Sequence, residues 1–133
     1  MAGRNLNLKI CKKKKILFIE DEPDQVLMVR LRLEKSGYYV ITAMDGVAGL
    51  KKALQEKPDL ILLDVIMPGI DGLEVCRRLR AESTMEKVPV IVTTAAGSDD
   101  IEHACATAGA DDCIRKPYEA SGLIDKVRRL IGE

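Results

Sequence analysis

At 133 residues the chain is sized for one domain and too short for two ordinary ones. With 47% apolar residues it can bury a core without help from disulfides or a structural metal. Its 21 Lys and Arg balance 21 Asp and Glu, which excludes a strong overall field drawing it onto nucleic acid or an anionic membrane.

Residues 1–14 are expected to be a loose N-terminal extension, in which Leu6, Leu8 and Ile10 could lie against a sheet edge and the basic run Lys12 to Lys15 reads as a solvated tail. The folded domain is expected at 15–133. Lys15 to Ile19 is a short apolar run ending in Glu20-Asp21-Glu22-Pro23, which predicts a buried strand entering an acidic loop. Pro23 suits a first helical turn, apolar residues recur at Val26, Leu27, Val29, Leu31 and Leu33, and Gly37 follows as a C-terminal cap. Tyr39 to Ala43 has strand composition, and Val47, Leu50, Ala53 and Leu54 repeat at helical spacing until Pro58.

Leu60 to Leu63 is wholly apolar and ends in Asp64, before the loop Met67-Pro68-Gly69-Ile70-Asp71-Gly72 and a third helix with Leu73, Val75, Cys76 and Leu79 inward. Pro89 to Thr94 predicts a fourth strand, Asp99 to Ala108 a fourth helix capped by Gly109, and Asp112 to Ile114 a short fifth strand. Leu123, Ile124, Val127, Leu130 and Ile131 mark a last amphipathic helix. Strict β/α alternation, five times over and with apolar strands, predicts an α/β fold: a doubly wound parallel sheet covered on both faces by five helices.

Ligands of such sheets bind beyond the carboxyl ends of the strands. Strand one delivers Glu20 and Asp21 to that rim, strand three Asp64, strand four Thr94, and strand five leads to Lys116-Pro117. Three carboxylates in one place oppose each other's ionisation, and a hard cation relieves the repulsion. Mg²⁺, or Mn²⁺ with similar preferences, suits oxygen ligands of this kind.

The segments ILFIEDEP, DLILLDVIMPGIDGLEV, PVIVTTAA and GADDCIRKPY, in this order, closely resemble the receiver domains of two-component response regulators, over about Lys15 to Gly132. The resemblance implies the flavodoxin-like strand order 2-1-3-4-5. It implies Asp64 as phosphoacceptor, Asp21 as a direct metal ligand, Glu20 as a ligand through water, and the Ile66 backbone carbonyl as a further ligand. Lys116 would contact the acyl phosphate and Thr94 would swing its hydroxyl toward it, with the Lys116-Pro117 bond cis. A histidine kinase or histidine phosphotransfer protein would supply the phosphoryl group, and an unknown downstream protein would read it through the face of helix four, strand five and helix five. The domain is then a signalling phosphoacceptor that catalyses only its own phosphorylation and dephosphorylation.

Plainer readings stand beside these. Asp64 alone could begin a turn, Thr94 alone is common strand composition, Gly69 and Gly72 serve loop geometry, Met67 packs, and His103 is a surface or packed residue. A phosphatase with an aspartyl nucleophile is disfavoured because Ile66 stands where its second Asp would be, and a phosphorylation-independent receiver-like binding module is the alternative. Two positions flanking the phosphate, Ile66 and Ala96, are apolar, and Cys113 replaces the Tyr or Phe common in the family three residues before Lys116. Cysteines 11, 76, 105 and 113 form no C-x-x-C pair, so buried thiols are expected. Without a signal-peptide core or an apolar run of about 18 residues, the expectation is a cytoplasmic protein with no membrane and no direct nucleic-acid partner. The chain ends at Glu133, after the last predicted helix, so no DNA-binding region is expected in it.

Overall fold

The computed structural model describes residues 13–95 and 99–132. The extension expected at 1–14 therefore lies mostly outside the described residues, as does Ala96. Ten elements alternate: β1 Lys15–Ile19, α1 Pro23–Lys35, β2 Tyr39–Ala43, α2 Gly46–Glu56, β3 Leu60–Asp64, α3 Gly72–Ala81, β4 Val90–Thr94, α4 Asp99–Ala108, β5 Asp112–Arg115 and α5 Ala120–Ile131. The strands are parallel and lie in the order β2-β1-β3-β4-β5, as the resemblance implied.

Alternation along each strand divides the core into two layers. Leu17, Ile19, Ile61, Leu63, Val90 and Val92 face α2, α3 and α4, where Ala53, Val75, Cys76, Leu79 and Cys105 complete one layer. Ile16, Phe18, Leu60, Leu62 and Ile91 face α1 and α5 and meet Leu33, Leu123 and Val127. Strands of this kind read as continuous apolar runs because both of their faces are covered.

Two of the helices, α2 and α3, start where a carboxylate accepts an orphan backbone donor. Asp45 Oδ1 accepts the Ala48 N–H at 2.8 Å, and Asp71 Oδ1 accepts that of Glu74 at 2.9 Å. Gly37 and Gly109 follow α1 and α4 with φ of +98° and +100°, as capping glycines should. The inner faces of α1 and α2 are narrower than the apolar pattern suggests. Leu33 is buried and Val26 and Val29 are half-buried, whereas Leu27, Met28 and Leu31 of α1 and Val47 and Leu54 of α2 are exposed.

A cationic knot ties together the amino ends of β4 and β5. Arg80, near the end of α3, donates to the carbonyls of Gly109 (2.8 Å), Met85 (3.1 Å), Glu86 (3.2 Å) and Val88 (2.7 Å), and pairs with Asp111 Oδ2 at 2.7 Å. The same Asp111 oxygen accepts the Val90 N–H at 2.8 Å. Beside it Asp112, at the start of β5, receives Lys126 and Arg129 of α5, each at 2.9 Å. Burial alone would raise the Asp112 carboxyl, but the Lys126 bond, the Cys113 N–H and both cations outweigh it and hold it below the usual carboxylate range.

Candidate functional site

At the opposite edge the strands end in the predicted polar residues. Glu20 continues β1, donates its N–H to the Ala43 carbonyl at 3.0 Å, and is fully buried. Its Oε1 accepts Lys116 Nζ at 2.9 Å and its Oε2 accepts the Glu22 N–H at 3.3 Å. Asp64 ends β3, nearly buried, with Oδ2 3.4 Å from the same Nζ. Asp21 is half-buried, and one carboxylate oxygen from each of Glu20, Asp21 and Asp64 lies within 4.8 Å of the others.

Two of these three carboxylates, Glu20 and Asp64, thus share the Lys116 ammonium. Burial pushes the Glu20 carboxyl above its ordinary range and the charge of Asp64 adds to this, while the Lys116 bond pulls the other way. The hydroxyl of Tyr118, two residues after Lys116, is pushed up to about 12 by burial and then by the charges of Glu20 and Asp64. Oxygens facing each other across a bound Mg²⁺ stand about 4 Å apart. A spread of up to 4.8 Å therefore fits two direct carboxylates, with the third joined through water.

Thr94 is fully buried at the end of β4, and its carbonyl accepts the Lys116 backbone N–H at 2.7 Å, so the predicted hydroxyl and ammonium are coupled through the main chain. The Lys116-Pro117 bond is cis. Ile66, two residues past Asp64, has its side chain 64% exposed. Met67 is buried and His103 exposed, in line with their plain readings.

One participant was not singled out in the sequence, and one does more than its sequence reading gave it. Tyr118 lies close enough to feel both buried acids, and the Lys-Pro-Tyr run was the available signal. Gly72 is more than loop geometry: a Cβ there would lie 2.2 Å from the Asp64 carbonyl oxygen, so only glycine lets the start of α3 approach the end of β3. Its N–H donates to the Val65 carbonyl at 2.8 Å and fixes that approach. A groove of about 840 Å³ runs from Lys116 and Pro117 past Tyr118 to Met28, Val29 and Leu31 of α1.

The family model of the response regulator receiver domain matches residues 16–128. Among curated relatives, the alkaline phosphatase synthesis transcriptional regulatory protein PhoP of Bacillus subtilis is 42% identical over 118 residues, covering 89% of this chain and 48% of that protein. The chain spans about half the length of the curated relatives it matches. The receiver domain of a sensor histidine kinase from Pseudomonas aeruginosa PAO1, which holds a magnesium ion in its active-site cleft, superposes with a TM-score of 0.84 at 30% identity, covering 91% of this chain and 99% of that one. The beryllofluoride-activated receiver domain of RstA from Klebsiella pneumoniae gives a TM-score of 0.84 at 31% identity, covering 90% and 100%. Matched by the family model over most of its length and by solved receivers over nearly all of it, this chain belongs to the receiver-domain family of two-component response regulators, which are signalling phosphoacceptors and not classical enzymes.

Proposed function

We propose that Asp64 accepts a phosphoryl group from the phosphohistidine of a histidine kinase or histidine phosphotransfer protein, in a reaction that requires Mg²⁺ or Mn²⁺. The observation that carries this reading is the convergence of Glu20, Asp21 and Asp64 within 4.8 Å of one another, with the Lys116 ammonium against Glu20 and Asp64. Asp21, Asp64 and the Ile66 carbonyl would hold the ion directly and Glu20 through water. The ion would supply positive charge against the phosphoryl oxygens and the carboxylates.

An Asp64 carboxylate oxygen attacks phosphorus, the new O–P bond forms, and the N–P bond breaks with its electron pair returning to the donor imidazole. Lys116, already 3.4 Å from Asp64, neutralises a phosphoryl oxygen, and Thr94 turns its hydroxyl toward the same group. Alignment and charge neutralisation are the main requirements of such a transfer, so a weak nucleophile suffices. The exposed apolar residues Met28 and Leu31, on the groove leading to Lys116, suit a protein donor laid against α1. Output through α4, β5 and α5 follows if Thr94 and Lys116 move with the phosphoryl group. No helix among the described residues is long and apolar enough to cross a membrane, and the free thiols suit the reducing cytoplasm as the compartment.

Acetyl phosphate with Mg²⁺ should add one phosphoryl group by intact mass, and none in excess EDTA. Asp64→Asn modified to the wild-type level overturns the assignment. Partner binding unaffected by Asp64→Asn would instead mark a phosphorylation-independent module.

A further inference from the structure

Away from the acidic rim, two thiols face each other across the α4–β5 contact. Cys105 of α4 and Cys113 of β5 have their sulfurs 3.5 Å apart. Both are held by backbone structure: Cys113 sits in the ladder opposite Val92, and the turn after α4 folds back with Ala110 N–H on the Cys105 carbonyl at 3.0 Å. The Arg80 and Asp111 contacts fix the loop between them. Cys105 is buried, Cys113 is half-buried, and a cleft of about 260 Å³ reaches both from solvent.

We infer that Cys105 and Cys113 are a redox-active dithiol that hydrogen peroxide or a small organic hydroperoxide oxidises to a disulfide, pinning α4 to β5. Their sulfurs need to close only from 3.5 Å to the ~2.0 Å of an S–S bond. Glu102, Asp111 and Asp112 line the cleft, so it admits a neutral peroxide more readily than an anionic disulfide.

Cys113, the more accessible sulfur, attacks as thiolate on a peroxide oxygen. The O–O bond breaks, the sulfenic acid forms, and the departing oxygen takes a proton and leaves as water from hydrogen peroxide or as an alcohol from an organic hydroperoxide. Cys105 then attacks the sulfenyl sulfur, the S–S bond forms, the S–O bond breaks, and the Cys105 proton leaves with the oxygen as water. The two thiols lose two electrons and the peroxide gains them. Burial first, and the bond to Cys113 second, push the Cys105 thiol up to about 12, which keeps that proton in place until the second step. Cys76, fully buried on α3, has no part in this.

Both cysteines fall on one tryptic peptide, residues 88–115, with Cys76 on another. After hydrogen peroxide and alkylation, this peptide should be about 2 Da lighter than its reduced, unalkylated form and carry no alkyl group, regaining two alkylatable thiols with dithiothreitol. Cys113→Ser should leave Cys105 reduced, and hydrogen exchange of the α4 amides should slow in the oxidised wild type. A peptide that still takes two alkyl groups after peroxide, or a disulfide joining either residue to Cys76 or to a second chain, overturns the inference. Unchanged α4 exchange overturns the pinning. Acetyl phosphate labelling of the same samples reports separately on Asp64, so failure of the phosphoacceptor reading is distinguishable from failure of this one.

Discussion

The two ends of the sheet solve the problem of burying charge in opposite ways. At the amino ends of β4 and β5, Arg80 has four carbonyls and Asp111 around it, and Asp112 has two cations. At the carboxyl ends, three carboxylates lie within 4.8 Å of one another, two of them, Glu20 and Asp64, beside the Lys116 ammonium, and the most buried, Glu20, is pushed toward its neutral form. A satisfied cluster holds the fold together. A cluster of mutually repelling carboxylates, held in place by the same strands, is where the proposed cation and phosphoryl group would be accommodated.

The contrast is tested most severely by removing one residue from each end. Asp64→Asn should abolish phosphorylation while leaving the fold at least as stable as wild type in EDTA, because it removes one of three mutually repelling charges. Arg80→Ala should do the reverse. Phosphorylation per folded molecule should persist, but stability should fall by about 3 kcal/mol, since several carbonyls and a carboxylate lose a shared donor. Arg80→Lys should recover little of it, because an ammonium cannot reproduce the planar fork. Urea melts with acetyl phosphate labelling of each variant decide the matter. Equal loss of both properties in either variant would erase the distinction.

A second expected effect is smaller and concerns the metal. Asp21→Ala should weaken Mg²⁺ binding and slow labelling, and Mg²⁺ should raise the melting temperature of wild type more than that of the variant. The same shift in both would remove Asp21 from the ion site.

Acid titration should also separate the ends. Glu20 has a folded pKa above the ordinary value of 4.5, so the folded state holds the proton more tightly, and metal-free stability should rise as pH falls from neutral toward that value. Asp112 is held below the ordinary value of 3.8, so its contribution is present above that pH and is lost as pH falls through the lower folded value. In EDTA, Glu20→Gln should flatten the rise above pH 4.5, and Asp112→Asn should blunt the loss below pH 3.8. Melts across pH that leave both slopes unchanged would count against these assignments.

The same division explains what could be read in advance. Strand positions were plain because strands covered on both faces are apolar throughout, as in Leu60 to Leu63, and rim acids were plain because each directly follows such a run. The helix faces were less so, since α1 carries apolar residues around much of its circumference, and exposed Leu27 and Leu31 obey the same spacing as buried Leu33. Arg80 left no local trace because its partners Gly109 and Asp111 lie 29 and 31 residues away, and carbonyl acceptors carry no side-chain signature. The contact of Cys105 with Cys113 was hidden similarly: it depends on how α4 returns to β5, which composition does not specify.

The smallest expected effect concerns the lifetime of the phosphoryl group at the rim. Hydrolysis requires a water oriented in line with the O–P bond, and a polar side chain beside Asp64 can hold it. Ile66 occupies that flank with a side chain 64% exposed and no hydrogen-bonding atom, so it offers water no anchor. Ala96 is apolar by sequence and adds none. The aspartyl phosphate should therefore decay slowly, and Ile66→Asn should hasten decay roughly ten-fold, equivalent to about 1.4 kcal/mol in the barrier. Because the Ile66 side chain is exposed, the exchange should alter neither stability nor the extent of labelling at saturating acetyl phosphate. Decay followed by intact mass after removal of the donor separates the cases: a wild-type rate equal to or faster than that of the variant would mean that lifetime is set by the cluster of Glu20, Asp21 and Lys116 and not by the residue at its edge.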